Sequence, residues 1–281
     1  MDIILVHLGS ALPEYMGVCQ RQAEIFSKDK VHCLHGYNEH AFTFVGEEKD
    51  LILEFLRSEF LKEFGLDKFW VYAALRLYAV LAYMKEKNIS KALHIENDNL
   101  IYADPDDAGL DDLCGERVGL MELTDSQLSA GIMYVGSTNY LELVLQKLND
   151  LLALGKTELQ KRYGPEMLHE MRLLKIVQQE NPALVALLPT LPNSNSKYVF
   201  DPASYGQYVG GTFQEPDKSF IDPNHIVGKR ILDKSIDVQW ETNYFQKLTF
   251  PFNFVVQEKG VANKIFNLHI HSKNLKRWAT V

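Results

Sequence analysis

Cysteine is scarce in this sequence: Cys19, Cys33 and Cys114 lie far apart among 281 residues. Their number is odd and no C-x-x-C pair occurs, so neither a disulfide framework nor a thiolate zinc site is indicated. Proteins with few, unpaired cysteines are typical of reducing compartments. We therefore expect a cytoplasmic protein.

Long apolar runs and basic clusters are also missing. No run of about 18 apolar residues is present, so we expect no membrane span. The opening MDIILVHLGS has an acidic second residue and lacks the basic start of a signal peptide. The formal net charge is −8, whereas non-specific nucleic-acid binding depends on a positive surface. No nucleic-acid partner is expected.

What remains is an ordinary globular composition, with 46% hydrophobic and 23% charged residues. The chain opens with an apolar strand at Asp2–His7, a helix at Pro13–Ser27 and a second strand at Val31–Leu34. A β-α-β start predicts an α/β fold whose parallel strands are covered by helices. In such sheets ligands bind at the carboxyl ends of the strands.

Periodicity places the remaining elements. We expect one domain in two halves, a binding half at about 1–125 and a mixed, pocket-building half at about 126–281. From Asn193 onward Asn, Ser, Gly, Pro and aromatic residues dominate, and the helical period disappears. The predicted helices are Leu51–Phe64, Lys68–Lys87 (capped by Asp67), Asn139–Leu154 and Pro165–Glu180, and the predicted strands are Arg117–Leu123, Gly131–Val135, Ala183–Leu188, Val238–Trp240, Phe252–Val256 and Ile265–His271.

The stretch Lys91–Tyr102, KALHIENDNLIY, carries the strongest chemical signal. A buried strand ends there at Glu96 and Asp98, whose i, i+2 spacing puts both carboxylates on one side of the chain. Adjacent carboxylates raise each other's pKa unless a cation lies between them. Oxygen ligands suit Mg²⁺ or Mn²⁺, which usually hold a phosphate-bearing substrate. The alternative is an ordinary polar turn.

Two further positions could complete such a site. His269 and His271 alternate with Ile270, so on a strand they face one side and could ligate a metal. A hydrogen-bonded surface histidine is the alternative for each. Arg76 lies in an apolar helical run, where it is either a snorkelling or paired side chain or a cation facing a phosphate or the acidic pair.

Taken together, these motifs resemble the glycosyltransferases of the GT-A fold that use nucleotide sugars and carry a D-x-D motif. The resemblance spans most of the chain and is strongest at HIENDNLIY and NLHIHSKNL. It implies a Rossmann-type β-α-β half, a mixed sheet and an acceptor-binding C-terminal half. It also implies Mn²⁺ or Mg²⁺, a UDP- or GDP-linked sugar donor and a glycan or other saccharide acceptor.

The resemblance also assigns roles to residues. Asp98 stands at the metal-binding position of the motif, and Glu96 replaces its first Asp, which commonly contacts ribose or reaches the metal through water. A histidine near the C-terminus often completes the coordination, and we favour His271 over His269 because the following turn could place Lys273 on a donor phosphate. The implied donor-binding residues are His7, Leu8, Gly9, Arg76, Glu96, Asn97 and Lys273.

Acceptor chemistry is less defined by the sequence. An inverting reaction needs a carboxylate base, which family members place at the start of a helix beyond the donor sugar. Glu170 is our candidate ahead of Glu166, and a solvated helical Glu is the alternative. A retaining reaction needs no such base. Aromatic rings suit sugar faces, with core packing as the alternative. The expected acceptor-binding residues are Asp201, Gln207, Tyr208, Gly210, Gly211 and Trp240.

Two other functions remain open. A nucleotidyltransferase also uses a metal and a β-α-β sheet, but LGSALPEY lacks the Gly-rich, basic phosphate loop expected after the first strand. A non-catalytic sugar- or nucleotide-binding protein could keep the same fold, because function depends on sites rather than folds.

Overall fold

The computed structural model describes residues 1–8, 11–35, 48–57, 68–166, 168–242 and 251–280. Gly9, Asp67 and the end of the predicted Leu51–Phe64 helix lie outside these ranges. The predicted α/β class with a mixed sheet is confirmed. The main sheet has six strands in the order β2-β1-β3-β6-β5-β7. Their bounds are β1 Asp2–His7, β2 Val31–His35, β3 Ala92–Ile95, β5 Val118–Thr124, β6 Gln127–Val135 and β7 Val185–Leu188.

The sheet is parallel at one end and mixed further along. β1 pairs in parallel with both β2 and β3, whereas β6 runs antiparallel to its two neighbours β3 and β5. β7 is again parallel to β5. The boundary expected at about residue 125 thus falls between β5 and β6, which are hydrogen-bonded neighbours in one sheet.

Helices flank the sheet, as its buried strands require. Along β1, Ile3 and Leu5 pack in one core cluster and Ile4 and Val6 in the other, which is the period-two pattern of a strand buried on both faces. The described helices are α1 Glu14–Phe26, α2 Glu48–Arg57, α3 Lys68–Lys87, α4 Leu110–Cys114, α5 Thr138–Ala153, α6 Gly155–Tyr163, α7 Glu170–Glu180, α8 Ser204–Gly210 and α9 Ile226–Leu232.

Two small sheets complete the fold. One has the order β8-β11-β10-β9, and the other pairs β12 with β4. The second matters for the site, because it joins the segment after β3 to the C-terminal part of the chain. The bounds are β4 Asn99–Ile101, β8 Tyr198–Val199, β9 Asp237–Thr242, β10 Pro251–Glu258, β11 Val261–Ile265 and β12 Asn267–His269.

Most predicted elements are present within a few residues, and four expectations need correction. The helix expected from Pro165 begins only at Glu170. The strand expected from Gly131 begins four residues earlier, at Gln127. Two short helices, α8 and α9, occupy the region where no helix was expected. The strand expected over Ile265–His271 is divided into β11 and β12, and His271 lies beyond its end.

Within the described ranges, no helix combines the length and the apolar character needed to cross a membrane.

Candidate active site

The site forms where β3 ends. The chain turns at Glu96–Asp98, with the Asn99 amide donating to the Glu96 carbonyl at 3.0 Å, and then runs back as β4. β12 pairs antiparallel with β4, which sets His269 opposite Asn99. The Ile270 amide donates to the Asp98 carbonyl at 2.8 Å. A strand from the C-terminal part of the chain is thereby fixed against the acidic turn.

This pairing brings together Glu96, Asp98 and His269, which we call the strand-end cluster. Nε2 of His269 lies 3.1 Å from Oε2 of Glu96 and 3.2 Å from Oδ1 of Asp98. One ligand atom from each residue falls within 4.8 Å of the others. Asp98 and His269 are buried, at 6% and 7% exposure. Two carboxylates and an imidazole form a donor set suited to Mn²⁺ or Mg²⁺.

Gly131 on β6 leaves the space in which the cluster lies. A Cβ at this position would stand 2.8 Å from Nδ1 of His269 and 3.0 Å from Oε2 of Glu96. The Gly131 carbonyl meanwhile accepts the Glu96 amide at 2.9 Å. Glycine is therefore needed for close approach, and its carbonyl fixes the backbone of the acidic turn.

Asp201 and Gly206 hold the backbone of His269. Oδ2 of Asp201 accepts the His269 amide at 2.9 Å and the Gly206 amide at 2.7 Å, and its Oδ1 accepts the amides of Ala203 and Tyr205. A Cβ on Gly206 would come within 2.0 Å of the His269 carbonyl oxygen. Asp201 is fully buried, so this placement favours a role in fixing the loop over the predicted acceptor contact.

Both carboxylates of the cluster already have a basic partner. The Arg76 guanidinium contacts Glu96, and the Lys273 ammonium contacts Asp98. Burial raises the pKa of Asp98, but the charges of His269 and Lys273 outweigh it and hold that pKa well below its usual range. Burial lowers the pKa of Arg76, an effect opposed by the charges of Glu170 and Asp98. Asp98 is therefore ionised and available as a ligand.

The strand-end cluster fits a divalent cation on three observations. Its donor set is appropriate, the space beside Gly131 would be filled by any side chain, and Asp98 already holds a positive group, the ammonium of Lys273. The two predicted carboxylates thus meet with a histidine, as expected from the sequence. The preferred histidine is different, however.

His271 is not part of the cluster. It lies in the turn after β12, its Nδ1 is 2.7 Å from Nε2 of Gln207, and its ring packs edge-on against His269 with centroids 4.5 Å apart. Burial and the neighbouring charge of His269 lower the pKa of His271 to about 3. His269, rather than the favoured His271, is the histidine that contacts both carboxylates, because the strand ends before His271 and the assumed alternation stops there. Which of the two histidines binds a metal stays a prediction.

Glu170 occupies a different environment at the start of α7. It is 5% exposed, and its Oε2 has no hydrogen-bond partner among the described residues. Burial raises the pKa of Glu170, and the positive charge of Arg76 only partly opposes this rise. His169 precedes it, with Nδ1 4.0 Å from Oε2 of Glu170 and its ring stacked on Trp70 at 4.7 Å. Glu166, the weaker candidate, is half exposed and pairs with Arg172 at 3.3 Å.

A cavity of about 810 Å³ connects these groups. Glu170, Phe213 and Phe220 line it together with the cluster. Phe220 was not singled out in the sequence, because an isolated Phe among polar residues carries no pattern. The sequence-predicted residues that line the cavity are His7, Leu8, Arg76, Glu96, Asn97, Asp98, Glu170, Gln207, His269, His271 and Lys273.

Other predicted acceptor residues stand elsewhere among the described residues. Tyr208 and Trp240 contact each other edge-on at 6.5 Å, outside the lining. A Cβ on Gly210 would press on Trp278 and Ile270. Gly211 has φ +72° and lies against the Glu215 carbonyl. These four residues are outside the cavity lining, whereas Phe213, which is 75% exposed, is part of it.

No protein-family model matches the chain, and no curated protein sequence matches it either. Among solved structures, mouse xyloside xylosyltransferase 1 is similar with a TM-score of 0.43 and 12% identity, covering 80% of this chain and 97% of that one. The galactosyltransferase LgtC gives 0.37 and 12%, covering 68% and 74%. A glycosyltransferase involved in glycosylating the major capsid of PBCV-1 gives 0.36 and 10%, covering 66% and 80%. All three TM-scores lie below 0.5, so the function of this chain has to follow from its own site.

Proposed function

We propose that this protein is a metal-dependent glycosyltransferase that moves a sugar from a nucleoside-diphosphate sugar to a hydroxyl acceptor. The observation that supports this most strongly is the strand-end cluster, which lines a cavity together with two basic side chains and the buried carboxyl of Glu170. Such a site combines charge stabilisation with acid–base chemistry, as transfer between a phosphate leaving group and a hydroxyl requires.

The leaving group is a nucleoside diphosphate, on which negative charge develops. Glu96, Asp98 and His269 would hold Mn²⁺ or Mg²⁺, which supplies positive charge for the diphosphate when it is bound. Arg76 and Lys273 add basic side chains at the same place. The protein thus concentrates its positive groups where the departing charge appears.

The nucleoside is proposed to lie beside the end of β1. Val6, His7 and Leu8 line this part of the cavity. Nδ2 of Asn97 donates to the Val6 carbonyl at 3.0 Å, while Oδ1 of Asn97 is buried without a partner among the described residues. A buried acceptor with no partner is costly, so a ribose hydroxyl that donates to it would be favourable. Gly9 lies outside the described ranges and stays a prediction.

The acceptor is proposed to enter from the side of Glu170. The raised pKa of this carboxyl suits a general base for a sugar hydroxyl in an inverting reaction. Phe213 and Phe220 offer ring faces for a saccharide, and Gln207 offers a polar group between them and the cluster. The stereochemical outcome follows from whether Glu170 is required.

Ligand-induced stabilisation tests the proposal. Thermal unfolding is measured with UDP and with GDP, with and without Mn²⁺, for wild type, Asp98→Asn and the matched control Asp125→Asn, whose side chain is exposed. Ligand at about 100 times its Kd adds about 2.7 kcal/mol to the free energy of unfolding. We expect one nucleotide to raise the melting temperature in a metal-dependent way. This increase should be retained in Asp125→Asn and lost in Asp98→Asn.

Absence of a shift with either nucleotide would contradict donor binding. Where a nucleotide does bind, incubation with the corresponding nucleotide sugars separates a transferase from a non-catalytic binder. Metal-dependent release of nucleoside diphosphate, by transfer or by slow hydrolysis, is expected for a transferase. Release of sugar 1-phosphate with pyrophosphate added would instead identify a nucleotidyltransferase.

A further inference from the structure

The two cations of the site hold their carboxylates in different ways. Arg76 projects from the middle of α3, and its side chain is 14% exposed. Lys273 lies in the turn after β12, has φ +61°, and its side chain is 36% exposed. An ammonium on a flexible stem makes a point contact, whereas a guanidinium forms a fixed fork. Lys273 is therefore the cation that can leave its carboxylate.

The charge count of the site points the same way. Glu96 and Asp98 carry two negative charges, and Arg76 and Lys273 carry two positive charges. With His269 neutral, as metal ligation requires, these four side chains are balanced before any metal enters. A divalent cation alone would add two positive charges close to both basic side chains, which is unfavourable. A nucleoside diphosphate sugar brings two negative charges on its diphosphate and restores the balance.

We infer that Lys273 is an exchangeable stand-in for the metal. In the ligand-free protein its ammonium occupies Asp98 and opposes binding of the divalent cation alone. When metal and nucleotide arrive together, Lys273 exchanges Asp98 for a phosphate, so that each ligand increases the affinity for the other. This inference rests on the proposed function, since it assigns Lys273 as the residue that couples cofactor and donor binding.

Reciprocity makes the inference measurable. If Lys273 competes with the metal for Asp98, removing its charge strengthens binding of the metal alone. If Lys273 also contacts the nucleotide, the same change weakens nucleotide binding in the presence of metal. The two effects together reduce the coupling between the ligands, which must be equal whichever ligand is added first. A merely structural role would weaken both kinds of binding.

The experiment is calorimetric titration of MnCl₂ alone into wild type, Lys273→Met, Lys273→Arg and the control Lys276→Met. Lys276 is three residues away, exposed, and contacts Glu14. A partly exposed ion pair of this kind corresponds to up to about a fivefold change in affinity. We expect Lys273→Met to bind Mn²⁺ more tightly by that factor, and the other two variants to stay within about twofold of wild type. A melting curve is recorded for each variant to check that the variant is folded.

The second arm repeats the titration with UDP and with GDP in saturating Mn²⁺. Weaker nucleotide binding by Lys273→Met, with Lys276→Met unchanged, supports the coupling. If Lys273→Met binds Mn²⁺ no more tightly than Lys276→Met, or if no variant binds Mn²⁺, the stand-in role is wrong. Metal-dependent sugar transfer by wild type alongside an unchanged Mn²⁺ affinity in Lys273→Met would remove this inference and leave the proposed function intact.

Discussion

Asp98 and Glu170 are both buried carboxylates that line one cavity, yet their pKa values are shifted in opposite directions. Asp98 lies against His269 and Lys273, and these charges keep its pKa well below the usual range although burial raises it. At the start of α7, Oε2 of Glu170 has no hydrogen-bond partner in the described part of the chain, and burial raises the pKa of Glu170 with only partial opposition from Arg76. One region keeps its carboxylate ionised, and the other favours the protonated form.

This difference divides the chemistry between the two regions. A metal ligand must be ionised, so the positive groups around Asp98 prepare it for that role. A general base works best when its pKa approaches the working pH, which the burial of Glu170 favours. Two similar side chains thus acquire different roles from their environments.

The largest effect is expected from removing the base. Glu170→Gln keeps the shape of the side chain but cannot accept a proton, so kcat should fall by about 10²–10⁴-fold in an inverting reaction. Nucleotide and Mn²⁺ affinities should remain near those of wild type. Steady-state rates of sugar transfer from the donor identified above measure this effect. Glu166→Gln is the control, because Glu166 is half exposed and pairs with Arg172.

The pH dependence sharpens the same point. A base is active only when deprotonated, so kcat/KM of wild type should fall as the pH drops through the raised pKa of Glu170. The residual activity of Glu170→Gln should lack that limb. Equal rates for wild type and Glu170→Gln would mean that the reaction needs no base, which is the expectation for retention of configuration.

An intermediate effect is expected from filling the space beside the strand-end cluster. Gly131→Ala places a methyl group within 2.8 Å of His269 and 3.0 Å of Glu96, so the histidine must move away from the carboxylates. Overpacking costs about 1–3 kcal/mol in the free energy of unfolding. Displacing a ligand should also reduce Mn²⁺ affinity by about tenfold or more. Denaturant unfolding and metal titration measure the two effects.

Gly17→Ala is the matched control for this substitution. Gly17 lies in α1, where a Cβ would meet only Arg21 at 3.5 Å. Alanine is a better helix former than glycine, so this variant should be slightly more stable than wild type. A Gly131→Ala variant with unchanged Mn²⁺ affinity would show that the three residues do not act together on a metal.

The smallest effect concerns the acid stability of the region around Glu170. Burial and the charge of Arg172 lower the pKa of His169 to about 4, with Glu166 opposing them. Between its ordinary value and about 4, the unfolded chain binds a proton at this residue and the folded chain does not. The free energy of unfolding should therefore decrease as the pH falls through this range, by up to about 1.4 kcal/mol per pH unit.

His169→Phe removes the imidazole that binds this proton and keeps a ring that can stack on Trp70. Its unfolding free energy should depend less steeply on pH than that of wild type between about pH 6 and 4.5. Urea unfolding at several pH values measures the slopes. Identical slopes would show that His169 is protonated equally in the folded and unfolded chain.

Parts of the fold and site follow local patterns that the sequence displays. The β-α-β start, the 20-residue helix Lys68–Lys87 and the acidic turn after β3 were all predicted from periodicity and turn residues. Arg76, for which the sequence left open a snorkelling or paired side chain or a cation facing a phosphate or the acidic pair, contacts Glu96 of that pair. These features depend on a few neighbouring residues, so the sequence carries their signal directly.

The features that the sequence left open have a different origin. The contact of His269, rather than His271, with both carboxylates depends on β12 ending at His269 and pairing with β4. Placing Asp201 required knowing that its carboxylate receives four backbone amides, three from the start of α8 and one from β12. Helix α8 is short and Gly-rich, so periodicity gave no warning of it.

The sequence by itself determined that the chain is an α/β protein with two carboxylates at a strand end, because strand alternation and apolar periodicity are local properties. Only the tertiary structure decided which histidine joins them, which cations neutralise them and which second carboxyl, that of Glu170, lies buried in the same cavity. Those outcomes depend on the pairing of β4 with β12 across more than half of the chain, and on burial, which sets the pKa of each group.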